Sequence, residues 1–405
     1  MTSPSLLALA EEVAAAWAPR AVDYDRSAAF PEADMADLRA SGLLGLLVPA
    51  RLGGMGAGFE DYVGVAVRLA HGSGASALLF NMHAAVTGAL AGVADELARA
   101  LGAAESFLAR RDEVLEGAVG GAMYGVAISE RGSGSRLSAL QTSYTREDGK
   151  YRIRGHKSTC SGAGHLDAYL VAARDAAAAD DEPRISYFLV PNAAIGAVEE
   201  GWDPLGMRAT ASNGFALDAL VDQEALVGVE GVALLLAYAM PAWLVASYAA
   251  VYVGVAQAAL AAAVAYIRQA SVREPATGGS PRQVNLGSSP WVRQRLGRAD
   301  AQVEAARLAV EEAGRQVDAK PGDAETNRAV YRAKLLAGDI AFEIAASLTE
   351  ACGLGALVRG SELERLLRDA RSGAVMPPSS DIAANVLGAA ALGMEPGMGL
   401  GARPW

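Results

Sequence analysis

Only two cysteines occur in 405 residues, Cys160 and Cys352, and they lie far apart. A disulfide framework needs more, so the chain reads as cytoplasmic. Histidine is also scarce, with four copies: His71, His83, His156 and His165. None stands in an HxxxH or HExxH spacing, and there is no CxxC pair. The expectation is therefore no structural or catalytic zinc and no other metal. Positive charge is outweighed, with 35 Lys and Arg against 46 Asp and Glu, a net charge of -11. That argues against a nucleic-acid binder, which would usually show a basic face. Lysine supplies only Lys150, Lys157, Lys320 and Lys334. Alanine is roughly a fifth of the chain, well above ordinary usage. Both biases carry little structural weight.

What is present is apolar. Hydrophobic residues are 52% and charged residues 20%, so the chain can bury a large core. Its length allows two or three domains or one large enzyme subunit. Glu11 and Glu12 with no basic n-region argue against a signal peptide at the start. The segment from Gly231 to Ile267 has no charge and could span a bilayer by length. Pro241 interrupts it, alanine dominates it, and Tyr238, Tyr248, Tyr252 and Gln257 are spread through its middle. It is expected to be a buried helix of a protein that does not enter a membrane.

The texture changes twice along the chain. Residues 1–117 read as a helical domain, with helical patterns at Ala33–Leu44, Phe59–Ala70, Ala75–Ala91 and Val93–Leu101. The loop from Val48-Pro49 through Gly53-Gly54-Met55-Gly56 breaks it. Residues 118–225 read as a β domain, with short runs at Met123–Ser129, Gln141–Arg146, Lys150–Arg154, Ala168–Ala173, Ile185–Val190 and Gly214–Val221. Asp148-Gly149 between two of them is a hairpin signal. Residues 226–405 return to helix, at Val232–Ile267, Trp291–Val317, Ala324–Cys352, Ser361–Ala370 and Ile382–Leu392. Ser271–Pro290 reads as a loop, and Pro377-Pro378 marks a break. The segregated order gives an α+β fold.

Four motifs follow one another. They are Ala127-Ile128-Ser129-Glu130-Arg131-Gly132-Ser133-Gly134-Ser135, Gly155-His156-Lys157-Ser158-Thr159-Cys160-Ser161-Gly162, Trp202-Asp203-Pro204-Leu205-Gly206-Met207-Arg208-Ala209-Thr210-Ala211-Ser212, and Glu364-Arg365-Leu366-Leu367-Arg368-Asp369-Ala370-Arg371. Each alone is weak. Their order across an α–β–α chain resembles the acyl-CoA dehydrogenase superfamily over nearly the whole length. The resemblance implies an N-terminal helical domain, a middle β-barrel or sandwich domain and a C-terminal four-helix bundle. It implies FAD, a homotetramer, and an acyl thioester substrate carried by coenzyme A or a carrier protein. An electron-transferring flavoprotein or a flavin reductase is the implied redox partner.

By the same resemblance, Ile128 and Ser129 match the strand beside the flavin ring, with the Ser129 hydroxyl and backbone at the pyrimidine side. Thr159 and Ser161 match the second strand lining the flavin. Ser135 matches a position near the pantetheine arm. Arg273 is the candidate for the FAD pyrophosphate across a subunit interface, and Gly353 keeps the glycine character of the adenine loop, where Glu350 replaces the usual glutamine. His83 and Met376 are candidate substrate contacts. Each has a bland reading beside it. Ser129 and Ser161 could be ordinary strand hydroxyls, and His83 could be a packed helix residue. Cys160 reads as a small buried residue, and Arg368-Asp369 as a surface ion pair or, by the resemblance, the anchor of a helix end.

The catalytic base departs from the family pattern. α,β-Dehydrogenation needs a carboxylate at the α-proton. Its commonest position falls on Pro377 here, and a second known position falls on Leu244 or a neighbour. No carboxylate occurs between Gly231 and Ile267. Asp381 is the nearest replacement and the candidate catalytic residue, or else the N-cap of the helix beginning at Ile382. Relatives of the fold that oxygenate substrates with reduced flavin and O2 need no such base, so a two-component monooxygenase is the alternative function. A non-catalytic scaffold is the third class.

Overall fold

The computed structural model describes residues 3–179, 182–274, 280 and 282–394. Seven helices come first: α1 (Pro4–Trp17), α2 (Ala21–Ser27), α3 (Glu32–Ser41), α4 (Phe59–Gly72), α5 (Gly74–Ala91), α6 (Asp95–Ala100) and α7 (Glu105–Val119). The β region follows, with β1 (Tyr124–Ala127), β2 (Ser143–Glu147), β3 (Lys150–Lys157), β4 (Ala168–Asp175), β5 (Ile185–Pro191), β6 (Val198–Glu199), β7 (Gly214–Val221) and β8 (Leu226–Val227). Then come α8 (Ala233–Ala239), α9 (Ala242–Gln269), the hairpin β9 (Ser271–Glu274) and β10 (Arg282–Asn285), α10 (Pro290–Ala319), α11 (Ala324–Cys352), α12 (Glu362–Arg371) and α13 (Ser380–Ala391). The helical, β, helical order of the α+β reading is the fold observed.

The first eight strands form one sheet in the order β6-β7-β3-β2-β4-β5-β8, with β1 pairing β4 in parallel. Most pairs are antiparallel, which short loops can make. Between β2 and β3 the loop is Asp148-Gly149 alone, with φ of 48° and 77°. Both values are left-handed, as the tight hairpin turn requires. The β7 pattern alternates along its length, with Phe215, Leu217, Ala219 and Val221 buried and the residues between them exposed. One face of that strand meets the core and the other meets water.

The charge-free segment is two helices rather than the single run the sequence suggests. Proline cannot donate the backbone hydrogen bond that would continue the helix, and α8 ends before Pro241 while α9 begins after it. Among the described residues two helices, α5 and α9, are long and apolar enough to cross a membrane. Both are covered instead by other helices. The α9 helix packs on α4, α5, α10, α11 and α12. A Cβ at Gly254 would lie 2.3 Å from the Val67 carbonyl, so α9 and α4 approach at backbone distance. Tyr62 is fully buried there and its hydroxyl donates to the Ser247 carbonyl at 3.1 Å. The loop expected over Ser271–Pro290 contains the β9–β10 hairpin, and residues 275–279 and 281 of it lie outside the described residues.

Candidate active site

All four motifs converge on one cavity of about 520 Å³. Its floor is the end of β1, through Ile128 and Ser129, and the segment after β3, through Ser158, Thr159 and Ser161. The turn Trp202–Met207 closes one side, and α5 and α9 close another through Met82, Leu244 and Tyr248. Met376 and Pro377 complete the wall. Ser135 lies at the rim, after a turn in which Glu130 and Gly134 exchange backbone hydrogen bonds at 2.8 and 2.9 Å.

A buried ion pair holds this floor. The Lys157 ammonium is fully buried and donates to Glu130 Oε1 at 2.7 Å and to the Ile128 carbonyl at 3.2 Å. The Glu130 carboxylate also accepts the backbone N–H groups of Gln141, at 2.6 Å, and Thr142, at 3.0 Å. Burial pushes its pKa up, but the Lys157 charge and these donors outweigh burial and hold the carboxyl below its ordinary range. The pair joins the end of β1 to the end of β3 and fixes the loop between Ser129 and Ser135. Neither residue was singled out from the sequence. The signal was faint: one of only four lysines, placed on a strand.

Next to it is a chain of hydroxyls. Ser161 Oγ lies 3.0 Å from Ser212 Oγ, which lies 2.7 Å from Thr210 Oγ1. Thr210 donates to the Met207 carbonyl at 2.9 Å. Each hydroxyl has one proton. With the Thr210 proton on Met207, Ser212 donates to Thr210 and Ser161 donates to Ser212. Ser161 therefore presents lone pairs, not a proton, to the cavity. Sequence reading placed Ser161 here but missed Ser212 and Thr210, which stand in the third motif without any local hint of the contact.

The Gly-Met-Arg turn is fixed from the C-terminal helices. Asp369 is buried and accepts the Met207 N–H at 2.6 Å and Arg365 Nη1 at 3.3 Å. Burial pushes its carboxyl above the usual range, against the opposing charge of Arg365. A Cβ at Gly206 would sit 2.1 Å from the Arg368 carbonyl, so the turn and α12 touch through backbone. Arg368 bonds to Asp25 at 2.9 and 2.6 Å and to Glu364 at 2.6 and 3.0 Å. Arg368 and Asp369 are thus not a surface pair. Each reaches across an interface between elements. Thr159 has φ of 55°, an outlier for a β-branched residue, and it lies at the cavity lining.

Several expected site residues lie elsewhere. Asp381 is exposed in the first turn of α13 and does not line the cavity. It is not the N-cap either: Ser379 caps the helix, accepting the Ile382 N–H at 3.4 Å. Replacing the expected base, Pro377 and Leu244 are both cavity walls. His83 is 1% exposed and holds Leu44 and Tyr124 through its two ring nitrogens, at 2.8 and 3.2 Å to their backbone atoms. Burial lowers its pKa to about 4 despite the Leu44 contact, so the ring is neutral and ties α5 to β1. It is a packed joint rather than a substrate contact, as neither nitrogen is left for one. Arg273 is exposed on β9, and Gly353 terminates α11; neither lines the cavity. Cys160 is fully buried, and burial pushes its thiol to about 12, so it is inert.

Glu130 is the one carboxylate among the described residues lining this cavity, and it is fully engaged. The lining fits a planar group edged with acceptors and donors. Ser129, Thr159 and Ser161 offer hydroxyls, and the buried indole N–H of Trp202 has no hydrogen-bond partner among the described residues.

Comparison with known proteins agrees in extent. The descriptions "Acyl-CoA dehydrogenase, N-terminal domain", "middle domain" and "C-terminal domain" match residues 6–100, 125–220 and 245–392. A putative acyl-CoA dehydrogenase of Bacillus subtilis (strain 168), YdbM, is 28% identical over 379 residues, 92% of each chain. The dibenzothiophene monooxygenase of Rhodococcus qingshengii is 30% identical over 277 residues, 65% of this chain and 62% of that one. Among solved structures, FMN-bound TdsC from Paenibacillus sp. A11-2 superposes with a TM-score of 0.81 at 25% identity, covering 96% of this chain and 97% of that one.

Proposed function

Because the chain belongs to the acyl-CoA dehydrogenase family, we propose that it is a flavin-dependent oxidoreductase of that family's oxygenating kind, acting with reduced flavin and O2. The observation that carries this reading is the cavity wall. Both positions where a dehydrogenating base is expected hold side chains without a proton acceptor, Leu244 and Pro377, and the one carboxylate at the cavity is occupied by Lys157 and two backbone donors. General-base removal of an α-proton requires a group within hydrogen-bond reach. Similarity to a dibenzothiophene monooxygenase and to FMN-bound TdsC supports the same choice.

A reduced flavin supplies the two electrons with which O2 gives one atom to the substrate and the other to water. The chain's own residues would hold it. Ser161, polarised by Ser212 and Thr210, would accept from an N–H of the flavin, and Ser129 and the Trp202 indole would offer donors. Leu244, Tyr248, Met376 and Pro377 form an apolar wall that keeps water from the reacting face. Flavin reductase is the partner this reading requires. Arg273 and Gly353 lie outside the cavity, so the adenylyl half of FAD would need a second copy of the chain. Homotetramer formation belongs to the same proposal and is supported by Leu354, 83% exposed, and Val358, 61% exposed, just after α11.

Two results check this subsection. With 18O2, a flavin reductase, catalase and thioanisole as the probe, the sulfoxide product should carry one 18O atom and should need the protein. Unlabelled product, or equal product without O2, would remove the oxygenase reading. Ser129→Ala should weaken flavin binding roughly five- to tenfold, equivalent to one neutral hydrogen bond of about 1 kcal/mol. Unchanged flavin affinity by fluorescence titration would mean that Ser129 does not touch the flavin.

A further inference from the structure

A second, apolar chamber of about 180 Å³ lies behind the flavin cavity, and Val126 and Leu244 line both. The sheet supplies one side of it by register. Val126 pairs with Leu170 between β1 and β4, and Tyr187 pairs with Val227 between β5 and β8. Paired residues share a face of the sheet, and all four line the chamber. The far end of α5, with α6, α8, Phe107 of α7 and Trp243 of α9, supplies most of the rest. Leu97, 44% exposed, and Leu101, 42% exposed, mark where it meets the surface. Through this lining runs one anomaly. The Tyr187 hydroxyl is buried and has no hydrogen-bond partner among the described residues. An orphaned buried hydroxyl is destabilising, and native structures rarely keep one without a use.

We infer that this chamber is the substrate site, that it takes a compact, single-ring-sized apolar molecule carrying one hydrogen-bond acceptor, and that the Tyr187 hydroxyl is the donor that orients it. The inference rests on the oxygenase reading only for what happens to the molecule afterwards. Burial pushes the Tyr187 pKa up, so the phenol keeps its proton and donates. An apolar chamber selects weakly by size, but a buried donor selects strongly against a molecule with nothing to accept its proton. A ligand acceptor placed at Tyr187 holds the molecule between the sheet face and α5, with its other end against Val126 and Leu244, at the wall of the flavin cavity. A coenzyme A arm has no complement in this lining, which contains no cation.

The test uses two isosteric probes, acetophenone and α-methylstyrene, which differ in a carbonyl against a CH2 group. Each is titrated by calorimetry into the flavin-loaded full chain. Tyr187→Phe should lower acetophenone affinity roughly tenfold and leave α-methylstyrene unchanged or tighter, since about one hydrogen bond is lost for the first probe alone. The thermal midpoint of the ligand-free Tyr187→Phe protein should match or exceed that of the parent. Equal losses for both probes, or no loss for acetophenone, would overturn the anchor. A second variant, Leu97→Trp at the exposed mouth, should weaken both probes; unchanged binding would place them outside the chamber. The two proposals fail separately. Probe binding as expected, together with flavin reduction by acyl thioesters, removes the oxygenase reading and keeps the chamber. Oxygen transfer to thioanisole with no effect of Tyr187→Phe on either probe does the reverse.

Discussion

Lys157→Met should destabilise the protein by about 3–5 kcal/mol and abolish flavin retention, because it strands a carboxylate inside the fold. Glu130 is 5% exposed and loses its charged partner, while the two backbone N–H groups of Gln141 and Thr142 remain. The pH dependence should separate this from a simple packing defect. In the parent protein the Glu130 pKa is depressed by Lys157, so its contribution is complete above about 4.3, the unfolded value, and is lost as pH falls through the lower folded value. In Lys157→Met, burial is no longer outweighed and the folded pKa rises above the unfolded one. The native state then binds the extra proton, and the deficit should shrink as pH is lowered from 7 towards 5. Removing the carboxylate as well, in Glu130→Gln with Lys157→Met, should recover part of the loss, since a neutral pair has no stranded charge. Denaturant unfolding of the parent and the two variants at two pH values measures all of this. A Lys157→Met deficit that is small and independent of pH would mean that the pair does not hold the site floor.

Asp369→Leu should be comparably severe, at about 3–5 kcal/mol, for the opposite charge. Arg365 is 5% exposed and has Asp369 as its ion-pair partner. The substitution leaves that guanidinium buried and uncompensated, and it removes the acceptor of the Met207 N–H. The consequence should reach the cavity. Met207 sits at φ of 54° and starts the turn that carries Thr210 and Ser212. Without its N–H tied to α12, the turn loosens and Ser161 loses its fixed orientation. Flavin affinity should therefore fall in Asp369→Leu even where the protein remains folded, whereas Glu364→Gln, at a half-buried carboxylate beside Arg368, should leave it nearly unchanged. Equal flavin affinity in parent and Asp369→Leu protein would show that the turn is held by other contacts.

Local patterns carried much of this structure. The run Gly214–Val221 alternates because one face of β7 is buried, and its bounds could be read from the alternation. Ala324–Cys352 shows an apolar stripe along α11, and Asp148-Gly149 names its own turn because few other residues take two consecutive left-handed conformations. That the site residues would come together was legible for another reason: the order of four motifs groups Ile128, Ser129, Ser135, Thr159 and Ser161, with Met376 just after the fourth, and all of them line one cavity. What escaped depends on contacts between distant segments. Lys157 and Glu130 are 27 residues apart, and Ser161 and Ser212 are 51 apart. No periodicity links such pairs. His83 reads the same on a helix whether it faces a ligand or, as here, two backbone partners. Asp381 looked like a base or a cap because it follows Pro377, but α13 begins at Ser380 rather than Ile382, so Asp381 lies inside its first turn and Ser379 takes the cap. Tyr187 lay in a run of apolar strand residues whose two faces can be told apart only once β5 is paired with β4 and β8.

The central claim is that this cavity holds flavin without a base for an acyl thioester. Its most direct measurement is an anaerobic titration of the flavin-loaded protein with saturated acyl-CoA thioesters of short, medium and long chain, read in the visible flavin absorption. The account predicts that the oxidised band persists with every thioester and is lost on adding a chemical reductant, which shows the bound flavin to be reducible. Bleaching of the flavin by any of the thioesters would contradict it. Such bleaching would require a proton acceptor that Leu244, Pro377 and the engaged Glu130 do not provide.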